Sequence, residues 1–283
     1  MDPFQNRVAV ITGGAGGIGR AMARAFAERG ARLVLADLDQ EALDSATEDL
    51  GALGADVFGV RTDVTKLESV QALAEAAREH YGSVHLVCNN AGIALFGEMA
   101  QATHKDWEFT MSVNFWGVVH GVESFLPILL GQGVGGHIVN TASMAGLVGM
   151  QWLGIYCASK FAVVGLTEAL HRELRAHDIG VSVLCPMIVA TNINQNSLRM
   201  RPADLRNEGD TTPVEAAAST TSPLETVPEG AIKGGTIAPE EVARRVVRGI
   251  ERRDLYILTH PEQREFLRRR AAKLDAMFEE DTW

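Results

Sequence analysis

The sequence predicts an α/β fold of the doubly wound kind, a single parallel sheet of about seven strands with helices on both faces. Three observations predict it. Short β-branched runs alternate with longer segments of helical period, a rhythm that belongs to strands joined by helical crossovers. The strand-like runs are apolar almost throughout, so both of their faces need cover, which only a helix-clad parallel sheet supplies. A glycine-rich turn also stands where the first strand ends and the first helix begins. At 283 residues the chain suits one large domain.

The candidate strands, in order, are RVAVIT (7–12), RLVLAD (32–37), DVFGVRTD (56–63), VHLVCNN (84–90), HIVNTAS (137–143), VSVLCP (181–186) and LYILTH (255–260). Helix patterns fill the gaps. Ile18, Met22 and Phe26 recur every four residues, and Leu67, Val70, Leu73, Ala74 and Ala77 keep to one stripe. GQGVGG (131–136) reads as a flexible turn before the fifth strand. The stretch 192–237 breaks the rhythm: it holds Pro202, Pro213, Pro223 and Pro228, many Ser and Thr, and no aromatic residue. A connection of that length after a strand's carboxyl end is expected to be a substrate lid. Residues 261–280 are expected to form a C-terminal helical extension, with Phe266, Leu267, Leu274 and Met277 available to cover the lid or a neighbouring subunit.

Composition excludes several classes. With 46% hydrophobic and 22% charged residues the chain has the balance of a soluble globular protein, and no apolar run is expected to cross a membrane. A net charge of −10 disfavours nucleic acid and anionic membranes, whose counterions a basic surface must displace. The basic cluster from Arg264 to Lys273 is expected to be a solvated helix face. The first residues, MDPFQNRVAVITGG, show no basic segment ahead of an apolar signal core, so the mature protein is expected to start here. Cys88, Cys157 and Cys185 are scattered and odd in number, which points to buried reduced thiols and a cytoplasmic location. His171 and His177 have no metal-like spacing and are read as surface residues, so no metal is expected.

TGGAGGIG (12–19) satisfies two spacings at once, Gly14-x-Gly16-x-x-Gly19 and Gly13-x-x-x-Gly17-x-Gly19. Glycines permit a tight turn and close backbone approach, and the helix start offers free N–H groups to a pyrophosphate. Asp37, about 20 residues on at the end of the second strand, completes a dinucleotide-binding unit. A carboxylate there accepts both ribose hydroxyls of NAD and repels the additional phosphate of NADP. Further along, YCASK (156–160) places Tyr156 and Lys160 on one helix face, their Cβ atoms roughly 5–6 Å apart. Alone, that pair is as consistent with a half-buried tyrosine and a snorkelling lysine as with chemistry.

Taken together in order and spacing, TGGAGGIG, NNAG (89–92), Asn114, Ser143 and YCASK resemble the short-chain dehydrogenase/reductase family over about residues 7–191. The resemblance implies a Rossmann-type enzyme, commonly a homodimer or homotetramer, that moves a hydride between nicotinamide and a carbinol or carbonyl carbon. It implies that Gly13, Gly17, Ile18 and Gly19 line the pyrophosphate, that Asp37 holds the adenosine ribose, and that Asp63 and Val64 flank the adenine. Asn90, Ala91 and Gly92 would shape the wall beside the fourth strand, and Thr191 would meet the nicotinamide amide. Met187 stands where the family usually has glycine, which puts the local backbone path in question.

In the family's pattern Tyr156 is the general base for alcohol oxidation and the general acid for ketone reduction. A free phenol, with a pKa of roughly 10, is a poor base near neutrality, and a neighbouring cation such as Lys160 favours the tyrosinate. Lys160 would also hold the nicotinamide ribose, Ser143 the substrate oxygen, and Asn114 a water that links Lys160 to solvent. Cys157 is assigned to packing, because the next residue on a helix points elsewhere. In the family's layout Met144, Leu147, Trp152, Met187 and Ile188 are expected to face substrate, the alternative being that some of them simply pack the subunit core, and so apolar a lining favours a bulky apolar or aromatic small-molecule alcohol or ketone. LYILTHPEQREFL and SLRMRPADL are also similar to a bacterial subgroup that includes dehydrogenases of bulky, often benzylic, secondary alcohols. Two other classes compete: an NADPH-dependent ketoreductase, disfavoured by Asp37 and by Leu38 where a basic residue would serve, and a non-catalytic nucleotide-sensing protein, which would not need the Asn114, Ser143, Tyr156 and Lys160 set.

Overall fold

The computed structural model describes residues 2–210 and 234–279. Seven parallel strands form its sheet: β1 (Val8–Thr12), β2 (Arg32–Asp37), β3 (Val57–Arg61), β4 (Leu86–Asn89), β5 (Gly136–Thr141), β6 (Ile179–Cys185) and β7 (Tyr256–Leu258), in the order β3-β2-β1-β4-β5-β6-β7. Every expected strand is present, most of them trimmed at one or both ends. β3, for example, ends at Arg61, although Thr62 N still donates to the Asp37 carbonyl of β2 at 2.8 Å. The order reverses direction between β1 and β4, and in open parallel sheets the crevice outside the strands' carboxyl ends at such a point is where ligands bind.

Nine helices are described: α1 (Gly17–Ala27), α2 (Gln40–Ala52), α3 (Leu67–Tyr81), α4 (His104–Met111), α5 (Gly117–Gln132), α6 (Gly154–Glu173), α7 (Ile193–Arg199), α8 (Pro239–Arg252) and α9 (Arg264–Glu279). Successive strand residues point to opposite faces, and the core divides accordingly. Ala9, Ile11, Leu33 and Leu35 face Met22 and Phe26 of α1, Leu43 of α2 and Val246 of α8. Val8, Val10 and Val34 face Val70 and Leu73 of α3 and Phe125 and Leu129 of α5. The helices start where local chemistry allows. Asp39 caps α2 by accepting from Ala42 N at 3.2 Å, Thr103 and Asp106 form a reciprocal capping box on α4, and Pro239 opens α8 at its first turn.

The stretch from 192 carries more structure than its composition suggests. It contains α7 and a 3-10 turn at Ala203–Leu205, while the remainder of the expected lid, 211–233, lies outside the described residues. Two other expectations are corrected. The continuous helical stretch His104–Gln132 is long and apolar enough to cross a membrane by length and composition, since Glu123 is its single charged residue between Val113 and Leu130. It is a third buried, and Val118, Phe125 and Leu129 anchor it in the core. His171 is half-buried, its Nδ1 3.0 Å from the Val181 carbonyl oxygen. The three cysteines are free and buried.

Candidate active site

The turn after β1 is a cradle that only small residues can form. Gly13 and Gly17 lie at φ +64° and +50°, and a Cβ on Gly19 would fall 2.0 Å from the Gly13 carbonyl oxygen. Gly16 caps α1 without a side-chain acceptor, so the first N–H groups of the helix remain available to an anion. Ile18 packs half-buried against the core beneath them. A dinucleotide's pyrophosphate fits this backbone.

Asp37 ends β2 at the rim of the cradle. Its Oδ2 accepts from Ala15 N and its Oδ1 from Asp39 N, both at 3.2 Å. Burial pushes its carboxyl pKa up, against those hydrogen bonds. Asp63 and Val64 follow β3. The Asp63 carboxylate accepts from Thr65 N at 3.0 Å and lies 3.5 Å from Lys66 Nζ, while the Val64 carbonyl lies 2.9 Å from His120 Nδ1. The backbone N–H groups of Asn90 and Ala91 both donate to Thr12 Oγ1, at 2.9 and 3.1 Å. The Asn90 amide donates to the Thr12 carbonyl at 3.0 Å and accepts from Thr141 Oγ1 at 3.3 Å. One asparagine thus ties together the carboxyl ends of β1, β4 and β5. Thr191 arrives from the other side, placed so that a Cβ on Gly17 would sit 3.0 Å from its methyl group.

The residues expected to carry the chemistry converge beside this cradle. Lys160 is 3% exposed; its Nζ donates to the Thr141 carbonyl at 3.0 Å and stands 5.6 Å from the centre of the Tyr156 ring. Ser143 follows β5, its Oγ accepting from Ala145 N at 3.1 Å and donating to the Pro186 carbonyl at 3.3 Å. Asn114 lies in a π-helical turn, Ser112–Trp116, between α4 and α5. Such turns insert one residue into a helix and are frequent at functional sites. The Asn114 amide is fully engaged. It accepts from Ile93 N at 2.9 Å and donates to the Ile93 carbonyl at 3.0 Å and to Ser159 Oγ at 3.2 Å. Gly92 fits between these groups: a Cβ there would sit 3.3 Å from Asn114 Oδ1 and 3.5 Å from Lys160 Nζ.

Burial dominates the electrostatics of the pair. Tyr156 keeps part of its surface open to the crevice, yet it lies deep among protein atoms, and desolvation raises its phenol to about 12 against a hydrogen bond with Ser143 that pulls it down. Lys160 makes no contribution strong enough to reverse that, and burial lowers its own pKa to about 8. In this state burial outweighs the cation's influence on the phenol.

The expected substrate residues divide. Leu147 and Met187 pack with Met144 in one apolar cluster that α9 closes with Leu267, and Met144 is 1% exposed. Met144 also lines a cavity of about 340 Å³ together with Leu258, His260, Pro261 and Leu267. Met187 needs no left-handed backbone, so its replacement of glycine leaves the chain path unstrained. Ile188 is half-buried, its carbonyl accepting from Ile237 N at 3.1 Å. Trp152 is half-buried at φ +61°, a conformation that bulky residues rarely hold, and its carbonyl accepts from Gly97 N at 2.9 Å. Cys157 packs against Ala145 and Leu153 as expected. Beyond Leu267, α9 is a solvated face on which Leu274, Met277 and Phe278 are exposed.

Supporting residues escaped the sequence reading. Thr12, Thr141 and Ser159 sit inside or beside quoted motifs, and their role of holding Asn90, Lys160 and Asn114 shows only once the strands are aligned.

Fold and crevice are those of a dinucleotide-binding α/β oxidoreductase. The model of the short chain dehydrogenase family matches residues 7–202, and the chain belongs to that family. A solved short-chain dehydrogenase/reductase from Burkholderia phymatum in complex with NAD superposes with a TM-score of 0.88 at 44% identity, covering 98% of this chain and 97% of that one. A C alpha-dehydrogenase from Sphingobium sp. is 35% identical over 94% of this chain and 85% of its own length. A CLA biosynthesis dehydrogenase/reductase from Lactiplantibacillus plantarum is 35% identical over 97% and 95% of the two chains.

Proposed function

We propose that this protein is an NAD-dependent dehydrogenase that interconverts a bulky, apolar or aromatic secondary alcohol and its ketone. One observation carries the reading: Ser143, Tyr156 and Lys160 meet at the carboxyl end of β5 beside a glycine cradle. The bound cofactor accepts or supplies the hydride. Ser143 orients the substrate oxygen, and Tyr156 takes the hydroxyl proton in oxidation and returns it in reduction. Lys160 holds the nicotinamide ribose and offers a positive charge to the phenolate, and Asn114 keeps the neighbouring backbone and solvent path in place. The remaining residues assigned above to pyrophosphate, adenine and nicotinamide amide serve as binding groups. The segment from Asn192 acts as the substrate lid. Following NADH or NADPH absorbance over aliphatic, alicyclic and benzylic secondary alcohols tests this; turnover with NADP alone moves the ketoreductase reading ahead.

Asp37 is proposed to select NAD. Asp37→Ala is expected to raise kcat/KM with NADP relative to NAD by about tenfold or more, since a bidentate ribose contact and a repulsive charge vanish together. An unaltered ratio places selectivity elsewhere.

A homodimer or homotetramer is proposed to form through the outer faces of α4, α5 and α6. In support, Trp116 is 50% and Leu130 39% exposed along the apolar helical stretch His104–Gln132. Trp116→Glu is expected to shift the mass by light scattering to that of one chain, and an unchanged mass would move the interface. Three free buried thiols support a reducing, cytoplasmic setting, and the net charge of −10 supports neither nucleic acid nor membrane as a partner.

A further inference from the structure

We propose that Arg199 is a positioning residue that straps the dinucleotide crevice shut, bridging from the connection after β6 to the start of α2 and so slowing departure of the cofactor. The strand order makes the argument. β2 and β6 stand four places apart, with β1, β4 and β5 between them. α7 follows β6, and Asp39 caps the helix that follows β2. The connection from β6 through α7, fastened to Asp39 by the 2.6 Å ion pair from Arg199 Nη2 to Asp39 Oδ2, therefore reaches from the β6 side of the sheet to the β2 side, across the three strands that carry the glycine cradle, Asn90 and the Lys160 anchor. Asp39 is two residues from Asp37, and Thr191 at the near end of the same connection already lies against Gly17. A dinucleotide held by Asp37 at one end and Lys160 at the other would have to pass this fastened connection to leave.

The rest of the connection is fastened differently. Ser197 is fully buried, its Oγ accepting from Ala94 N at 2.9 Å and donating to the Ile193 carbonyl at 2.6 Å. The Arg201 side chain is 5% exposed; it pairs with Asp106 at 2.7 Å and Asp210 at 3.1 Å and lies 5.7 Å from the centre of the Phe109 ring. Asn207 donates to the same Asp106 carboxylate at 2.9 Å. Breaking a buried network leaves unpaired charge behind, whereas the Arg199 side chain is 40% and the Asp39 side chain 18% exposed, and Asp39 keeps its backbone partner Ala42 when the pair opens, so this end gives way at lower cost. The Arg201 end is thus the fixed anchor and the Arg199 end the clasp.

This inference rests on the dinucleotide reading, and its test separates the two. NADH is bound to the purified full chain and chased with excess NAD while its fluorescence is followed by stopped flow. Arg199→Gln is expected to accelerate NADH dissociation about threefold to fivefold, the upper part of the range for a partly exposed ion pair. Arg199→Lys should keep most of the native rate. Raising ionic strength should speed release from the native protein and leave Arg199→Gln unaffected, a signature that a merely structural side chain would not give. Hydrogen exchange over residues 193–199 should slow when NADH binds the native protein and slow less in Arg199→Gln. An unchanged dissociation rate with the same salt dependence in both proteins overturns the strap alone. Absence of any NADH signal from the native protein overturns the dinucleotide reading, and the strap with it. Asp39 is left intact throughout because it also caps α2.

Discussion

Tyr156→Phe is expected to lower kcat by about 10²–10⁴-fold, the range that loss of a positioned general acid–base spans, while NADH binds as tightly as before. The substitution removes one oxygen and keeps the ring packed where it stands, half-buried near Leu153 and Cys157. The cradle, Asp37 and the Lys160 anchor on the Thr141 carbonyl do not touch the phenolic oxygen. Fluorescence titration with NADH and steady-state rates with any alcohol that the panel identifies give the two halves of the result. Turnover within a few-fold of the native rate would remove Tyr156 from the chemistry and leave the protein a nucleotide binder with a different reacting group. The high phenol pKa, about 12, sharpens the expectation. With the phenol still protonated at neutral pH, the site as it stands is arranged for a proton donor, so ketone reduction is expected to run at lower pH than alcohol oxidation.

How far the chain could be read without coordinates follows from which interactions are local. The seven strands announced themselves because each is an apolar run bounded by turn residues, and burial on both faces leaves no ambiguous alternation. The cradle was legible for a related reason: the φ values at Gly13 and Gly17 and the contact at Gly19 each demand glycine, so the backbone geometry is written directly in residue type. Tyr156 and Lys160 share a helix face, and their proximity is a matter of spacing.

What stayed hidden depends on partners far apart in the chain. The half-helix α7 belongs to a polar, proline-bearing stretch whose order comes from Arg201 meeting Asp106, 95 residues away, and from Ser197 meeting Ala94. No window of periodicity contains such a pair. The π-helical turn at Asn114 is hidden likewise, because the amide's partners are the Ile93 backbone and Ser159. Desolvation of the phenol was hidden as well, because proximity to Lys160 can be counted in sequence while burial cannot. Where Met144 sits, between the core and the cavity beside α9, is hidden for the same reason, because its neighbours there, Leu258 and Leu267, come from the far end of the chain.

Desolvation also governs the second large effect, which Lys160→Met should display in two independent measurements. Catalysis is expected to fall at least as far as in Tyr156→Phe, because the cation beside the phenol and its carbonyl anchor are lost together. Stability is expected to change its dependence on pH. In the unfolded chain a lysine titrates near 10.4, and in the folded protein burial lowers Lys160 to about 8. Below pH 8 both states hold the proton, and the full penalty of burying an ammonium is present. Between about 8 and 10.4 the folded protein has released a proton that the unfolded chain still binds, so stability attributable to this residue rises with pH. Tyr156 and Cys185, at about 12 each, stay protonated across that interval and do not mask it. Denaturant melts of the native protein and of Lys160→Met, compared from pH 7 to 9.5, should therefore converge or cross, with the native protein gaining roughly 2 kcal/mol relative to the variant at about 1.4 kcal/mol per pH unit. Parallel curves would mean that the ammonium is solvated in the folded state, and the account of the site as a dry pocket holding a costly cation would fall. A gain of the expected size would show instead that the fold gives up stability at neutral pH to keep a positive charge beside the tyrosine, a sacrifice that packing alone does not require.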